Sequence, residues 1–408
     1  MEKGKTERRF LSNFKRGDVR RLLRELIRIP SHRDFDGQEK KIGEFIANWF
    51  EEKGVDVQLQ EVKDGRSNVI ARISGAGEAY SLMFNGHLDT VPASGMMNPF
   101  GSEVKGNKVY GRGACDMKGA LAAMMSAMQV INESSVPLKG KLVFAGVIDE
   151  ETSSLGTTHL IQNGPKTDFG IVGEPTNMKV AIAHKGALTL QITINGRAAH
   201  CDTPWLGTNA IEKMSKVIQT ILGKAPRELE RRKHKYIGSP KMHIGYITGG
   251  HPLPCTIIPD ECKTIVLVGM LPGDKKESII SLFEGIIIKL QREDKEVKGK
   301  VEVLPLETMP EGYNLPFETL EEAFITKAIR NCAKIILNSD PGITGFPYWC
   351  DASILSYAGI QTVIFGPGNE ICGPHSDIEY IPTEDVINAA KIYALTALKV
   401  CNHERTQV

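Results

Sequence analysis

The chain lacks any run of about 18 consecutive apolar residues, the length a membrane-crossing helix needs. Its charged opening, Met1 to Arg9, leads into no secretory apolar core, so neither a membrane span nor a signal peptide is expected. It also lacks an excess of charge of one sign. Fifty Lys and Arg face 49 Asp and Glu, which leaves the chain as a whole no field for nucleic acid or an anionic membrane. The basic stretch Arg227 to Lys235 reads as a solvated loop. No Cys-x-x-Cys pair occurs among the eight scattered cysteines (115, 201, 255, 262, 332, 350, 372 and 401), which suits reduced thiols better than a disulfide framework or a thiolate zinc site. Internal repeats and low-complexity segments are missing too. These absences predict a cytoplasmic protein whose metal ligands, if it has any, are histidines and carboxylates.

What is present is an ordinary globular composition, 41% apolar and 24% charged, spread over 408 residues. That length exceeds one usual compact domain and predicts two domains, or one large domain carrying an insertion. Val19, Leu22, Leu23, Leu26 and Ile27 recur at helical spacing behind Asp18, a candidate cap. Ile42, Phe45, Ile46, Trp49 and Phe50 mark a second helix that stops at Gly54. Strands follow at 55–59, 68–73 and 82–84, and then a helix after Asp116 with Leu121, Met124, Met125 and Met128 as its buried stripe. The apolar runs 142–148 and 169–172 read as buried strands of an α/β sheet with Glu150, Glu151 and Glu174 at their C-terminal ends. Polar residues that recur there are candidates for chemistry, because open α/β sheets place their sites where strands end.

From about Leu188 the pattern becomes strand 188–194, helix 209–222, strands near 242–247 and 262–268, helix 277–290 and strand 300–304. This βαββαβ order is that of a ferredoxin-like module. After Pro310 the α/β pattern resumes with helix 320–337, strand 362–365 and helix 383–397. The expected division is a catalytic domain in two parts, 1–184 and 306–408, interrupted by an inserted α+β domain at 185–305.

Five short segments carry the candidate chemistry. In Asn85-Gly-His-Leu-Asp-Thr-Val-Pro92, His87 and Asp89 lie two apart at a strand end and point the same way. Asp89 can then take the second ring NH of a metal-bound His87; a histidine in a polar turn is the alternative reading. In Gly111-Arg-Gly-Ala-Cys-Asp-Met-Lys-Gly119, Asp116 is either a ligand or the cap of the following helix. The adjacent acids Asp149-Glu150-Glu151 repel one another unless a cation, a proton or solvent compensates them. Glu174 adds an acid at another strand end, and Gly373-Pro-His375-Ser-Asp-Ile-Glu379 a histidine with Asp377 and Glu379 near enough to orient it. Together they supply two imidazoles and three carboxylates for two divalent ions, with one acid to spare as a base for the attacking water.

In order and wording these motifs resemble the zinc-dependent peptidases and deacylases, a family that includes acetylornithine deacetylase, succinyl-diaminopimelate desuccinylase, aminoacylase and glutamate carboxypeptidase. The resemblance runs from about Arg21 to Leu398. It implies a mixed-sheet catalytic domain with an inserted ferredoxin-like lid or dimerisation domain, and a homodimer. His87, Asp116 and Glu174 would hold one ion and Asp116, Glu151 and His375 the other, with Asp116 bridging. The ions would be Zn2+, with Co2+ or Mn2+ compatible with the same ligands. Glu150 would be the general base and then the proton donor to the leaving amine, and Asp89 the orienter of His87. His200 would reach the active site of the partner subunit and stabilise the oxyanion. Gly249-Gly250 and Gly366-Pro-Gly368 match the family's glycine loops.

The lid departs from the family. Many relatives carry an asparagine three residues before a lid proline and an arginine ten after it, both holding the substrate carboxylate. Thr256 and Gly269 stand at those positions, and Lys185, Arg197 and Lys263 are the candidate replacement cations. The resemblance implies removal of an acyl group from an N-acyl amino acid. A dipeptidase or carboxypeptidase, and a metal-containing binding protein without turnover, are the alternatives.

Overall fold

A computed structural model describes residues 10–134, 136–250, 255–306 and 311–405. The chain divides into two units, the first made of Met1–Ile182, Glu318–Phe346 and Cys350–Val408, the second of Ala183–Phe317 and Pro347–Trp349. In chain order the first unit begins with α1 (Arg16–Arg28), α2 (Lys40–Glu52), β1 (Asp56–Lys63), β2 (Arg66–Ile73), β3 (Leu82–His87), β4 (Glu103–Lys105) and β5 (Lys108–Tyr110). It continues with α3 (Gly119–Glu133), β6 (Leu142–Val147), α4 (Leu155–Asn163), β7 (Phe169–Val172) and β8 (Val180–Ala181). The second unit supplies β9 (Gly186–Asn195), α5 (Ala210–Glu230), β10 (Met242–Gly249), β11 (Glu261–Met270), α6 (Lys276–Glu293), β12 (Lys298–Val303) and β13 (Tyr313–Asn314). The first unit resumes with α7 (Phe324–Leu337), β14 (Ile343–Thr344), α8 (Ala352–Tyr357), β15 (Gln361–Ile364), β16 (Tyr380–Pro382) and α9 (Thr383–Val400).

An eight-stranded mixed sheet in the order β1-β2-β6-β3-β7-β15-β8-β14 forms the frame of the first unit. Its middle, β6, β3, β7 and β15, is parallel, and all of β6, β3 and β7 is buried, as expected of strands covered on both faces. Helix α1 buries Val19, Leu22, Leu23, Leu26 and Ile27, the stripe read from its spacing. It begins at Arg16, however, so Asp18 lies within the first turn, bonded to Arg21 at 2.6 Å, and does not cap it. Helices α3 and α9 pack together and are buried on nearly every face, the cohesive centre of the unit.

Register decides where the polar ends emerge. His87 pairs level with Val147, and Asn85 level with Val172, so the residues just after β3, β6 and β7 leave the sheet at one edge. A small antiparallel sheet, β16-β5-β4, pairs Tyr380 with Tyr110. It thereby ties the segment that follows residue 110 to the one that precedes residue 380, although the two are far apart in sequence.

The second unit is a four-stranded antiparallel sheet ordered β10-β11-β9-β12, with β13 beside β9 and helices α5 and α6 packed into its core. That order over a βαββαβ chain is the ferredoxin-like arrangement. Asn209 caps α5 by accepting from the amides of Ile211 and Glu212, and the apolar stripe continues through Ala225 and Leu229, beyond the expected end at 222. No described helix is long and apolar enough to cross a membrane.

Candidate metal centre

His87, the last residue of β3, is buried, and its ring lies between three acids. Nε2 stands 3.0 Å from Asp116 Oδ1 and 3.8 Å from Glu174 Oε1. Nδ1 lies 3.0 Å from the Asp89 carbonyl and 3.5 Å from Asp89 Oδ1. The Asp89 carboxylate instead accepts the backbone amides of Glu150 at 3.1 Å and Glu151 at 2.9 Å. Asp89 therefore serves the site twice, orienting the imidazole mainly through its carbonyl and anchoring the acidic loop through its side chain.

Asp116 does not cap the following helix. Its backbone is extended (φ −124°, ψ 98°), and α3 begins only at Gly119. This frees the carboxylate to point both ways: Oδ1 faces His87, and Oδ2 lies 3.3 Å from His375 Nε2. The same Nε2 is 3.2 Å from Glu151 Oε1. Ligand atoms of His87, Asp116 and Glu151 lie within 4.8 Å of one another, close enough to hold an ion.

Glu379 does something other than orient His375. It is 1% exposed and accepts from Arg112 at 2.7 Å and from the amides of Gly113 (2.9 Å), Cys115 (2.8 Å) and Asp116 (3.0 Å). Arg112 also reaches the Ser376 carbonyl at 2.8 Å. This buried ion pair shapes the loop that presents Asp116, and the β5–β16 ladder brings its two halves together. Sequence spacing missed it because the separation of only four positions from His375 to Glu379 suggested a local partner. The one available signal was the arginine inside Gly111-Arg-Gly.

Acids outnumber imidazoles at this site. Burial pushes Glu150 and Glu174 well above the ordinary carboxylate value and Glu151 above it too, and neighbouring acids add to all three shifts. Asp351 is driven to about 6, chiefly by burial, although Thr157 donates to it at 2.5 Å. Asp116 is held low: burial opposes its charge, but His375 and His87 outweigh that. His375 rises to about 10 through its contacts with Asp116 and then Glu151. Burial works against protonated His87, yet Asp116, Asp89 and Glu174 carry it well above its usual value. Three buried carboxylates pushed toward neutrality around two imidazoles fit a site built around positive ions.

Gly366 packs against this edge rather than against open space. A Cβ there would lie 2.4 Å from the Gly173 carbonyl oxygen and 2.5 Å from that of Glu174, so the glycine is needed for close backbone approach. The remaining expected residues lie in the second unit. His200 is exposed and forms a local turn with Asp202, whose amide donates to its Nδ1 at 3.2 Å. The Thr256 carbonyl accepts from Cys201, and Gly269 sits in the β9–β11 ladder opposite Ala187. Lys263 pairs with Glu261 at 2.8 Å and Arg197 donates to the Leu206 carbonyl at 2.6 Å, whereas no carboxylate among the described residues pairs with Lys185.

Known proteins share this architecture. Residues 83–399 match the profile of Peptidase family M20/M25/M40. An acetylornithine deacetylase of Vibrio campbellii is 30% identical over 370 residues, covering 88% of this chain and 92% of that one. Among solved structures, the aminopeptidase PepT of Bacillus cereus superposes with a TM-score of 0.77 at 20% identity, covering 95% of this chain and 99% of its own. The YXEP protein of Bacillus subtilis, described as a dinuclear metal-binding peptidase, does so with a TM-score of 0.66 at 18% identity over 95% and 99% of the two chains. The chain belongs to Peptidase family M20/M25/M40, a family of enzymes that hydrolyse amide bonds.

Proposed function

We propose that the protein is a two-metal hydrolase that removes the acyl group from an N-acyl amino acid. The observation that carries this reading is the two-sided Asp116 carboxylate, one oxygen on His87 and the other on His375. His87, Asp116 and Glu174 would hold one ion, and Asp116, Glu151 and His375 the other. The imidazole and carboxylate donors suit Zn2+, with Co2+ and Mn2+ as compatible substitutes. When bound, the ions would supply charge that polarises the scissile carbonyl and makes a water acidic enough to give up its proton at neutral pH.

Glu150 is the spare acid. It receives the proton of the attacking water and passes it to the departing amine, a role that suits a buried carboxyl with a raised proton affinity. Asp89 fixes the His87 ring and the amides that precede the Glu150 and Glu151 side chains. His200 is read as the imidazole that steadies the carbonyl oxygen, supplied across a homodimer. The second unit would be the lid and dimerisation domain of a catalytic domain that it interrupts. The exposed edge strand β10, with Tyr246 at 54% and Ile247 at 52% exposure, supports pairing with a second copy. Eight cysteines outside any disulfide agree with a cytoplasmic protein.

The 30% identity to an acetylornithine deacetylase supports an N-acyl amino acid as substrate. Thr256 and Gly269 in the lid favour a second reading, a dipeptidase or carboxypeptidase whose substrate is gripped differently, with Lys185 as the available cation. The test combines metal analysis of the purified protein with a panel of N-acetyl, N-succinyl and dipeptide substrates, and compares wild type with Glu150→Ala. Bound metal and a kcat lowered about 100-fold or more in the variant are expected. Full amidase activity in Glu150→Ala would sink the mechanism, and stoichiometric metal without any hydrolysis would favour a binding protein.

A further inference from the structure

We propose that Arg66, held by Glu39, is a positioning residue for the acidic loop that carries Glu150 and Glu151. The inference rests on the roles proposed for those two acids, but its geometry lies one layer behind them. Arg66 opens β2 and is 14% exposed. Its Nε and Nη2 grip the two oxygens of Glu39 at 2.7 and 2.6 Å, a fork-to-fork pair, and Nη2 reaches Asp149 Oδ1 at 2.8 Å. Glu39, 1% exposed beside α2, also accepts the Asp149 amide at 3.2 Å. Asp149 is thus held by backbone and side chain at once.

That grip matters because of the shape of the chain at Asp149. Its φ is +70°, a left-handed conformation that residues with a Cβ rarely adopt. Its carbonyl accepts the amides of Ser153 at 3.1 Å and Ser154 at 2.6 Å, and Oδ2 accepts the Ser153 hydroxyl at 2.6 Å. The turn re-aims the chain as it leaves β6, so that the next two amides meet the Asp89 carboxylate. The loop is therefore clamped from two sides, by Asp89 on Glu150 and Glu151 and by the Arg66–Glu39 pair on Asp149. Remove the guanidinium, and two inward carboxylates face each other at the loop's base with nothing between them. A lysine ammonium restores the charge but cannot span both acids with fixed planar donors. Behind the loop lies a cavity of about 150 Å³ bounded by Arg66, Glu39, Asp149, Asp89 and Glu151, roomy enough for a free guanidinium ion.

The experiment uses the full-length protein. Arg66→Lys and Arg66→Ala are compared with wild type for thermal stability, for Co2+ affinity by visible absorption, and for kcat and KM on the best substrate of the wild type. Arg66→Lys should keep the wild-type fold by circular dichroism, yet bind Co2+ about 10-fold or more weakly, as expected when a ligand's support is displaced. Its kcat should fall about 100-fold with KM within twofold, the scale of a 1 Å misplacement. Millimolar guanidinium chloride should restore kcat at least tenfold in Arg66→Ala and leave wild type unchanged. Wild-type Co2+ affinity and kcat in a folded Arg66→Lys would overturn the assignment. So would failure of both variants to fold, which makes the triad an ordinary core ion pair. An inactive wild type would instead sink the hydrolase reading, and the Co2+ titration would still decide the role of Arg66.

Discussion

Replacing Glu379 with alanine should strongly destabilise the first unit. The substitution removes the acceptor of four bonds, one donated by the guanidinium of Arg112, itself 1% exposed, and three by the amides of Gly113, Cys115 and Asp116. Breaking a buried ion pair by deleting one partner costs about 3–5 kcal/mol, and each orphaned buried amide adds about 1–3 kcal/mol before relaxation. These terms overlap, because water will enter the cavity and Arg112 keeps its bond to Ser376, so a total of about 4–6 kcal/mol is the reasoned value. For a unit of this size 1 kcal/mol moves the midpoint by about 2–4 °C, which places the expected fall near 10–20 °C. Differential scanning calorimetry suits the test, because a chain of two units need not melt in one step. Glu379→Gln, which keeps one carbonyl oxygen but loses the charge, should fall between wild type and the alanine variant. A decrease below about 3 °C for Glu379→Ala would refute the claim that this carboxylate holds the Asp116 loop. Weaker Co2+ binding is expected alongside the destabilisation, since the Asp116 amide is one of the freed donors.

In the metal-free protein His375 titrates near 10 rather than its ordinary 6.5, raised first by Asp116 and then by Glu151. A folded value raised in this way adds stability that is fully present below about pH 6.5 and is lost as pH rises through about 10. Melting midpoints of chelator-treated wild type should therefore drop between neutral and strongly alkaline pH more than those of His375→Ala; parallel curves would refute the pairing. Because ligation needs neutral imidazole, loading metal at pH 7 should also release protons, seen as a buffer-dependent binding enthalpy. Gly366→Ala should lower stability by about 1–3 kcal/mol, seen as a lower urea midpoint with an unchanged slope, since the new methyl meets two backbone oxygens at 2.4 and 2.5 Å. An unchanged midpoint would show that this backbone has room to give.

Much of the architecture was legible from periodicity. The stripes of α1 and α2, the buried runs of β6 and β7, and the βαββαβ order of the second unit all follow from burial patterns that a linear sequence displays. The candidate ligands were legible for a related reason. Acids and histidines at the ends of apolar strands have few purposes in a core, and parallel strands deliver such ends to one edge. Short elements were not legible. The three-residue strands β4, β5 and β16 and the nine-residue α4 carry too little periodic signal. Helix α7 starts at Phe324, later than its apolar pattern suggested, because the preceding residues form a turn.

The sequence by itself determined which residue types were available for chemistry and which strand ends carried them. Only the tertiary structure decided how they are supported. Arg112 meets Glu379 across 267 positions, Arg66 meets Asp149 across 83, and the choice of Asp116 between capping a helix and bridging two histidines depends on where His87 and His375 stand. Such pairings leave no local pattern, since a buried charge is satisfied by whichever partner the fold brings near and not by its neighbours in the chain.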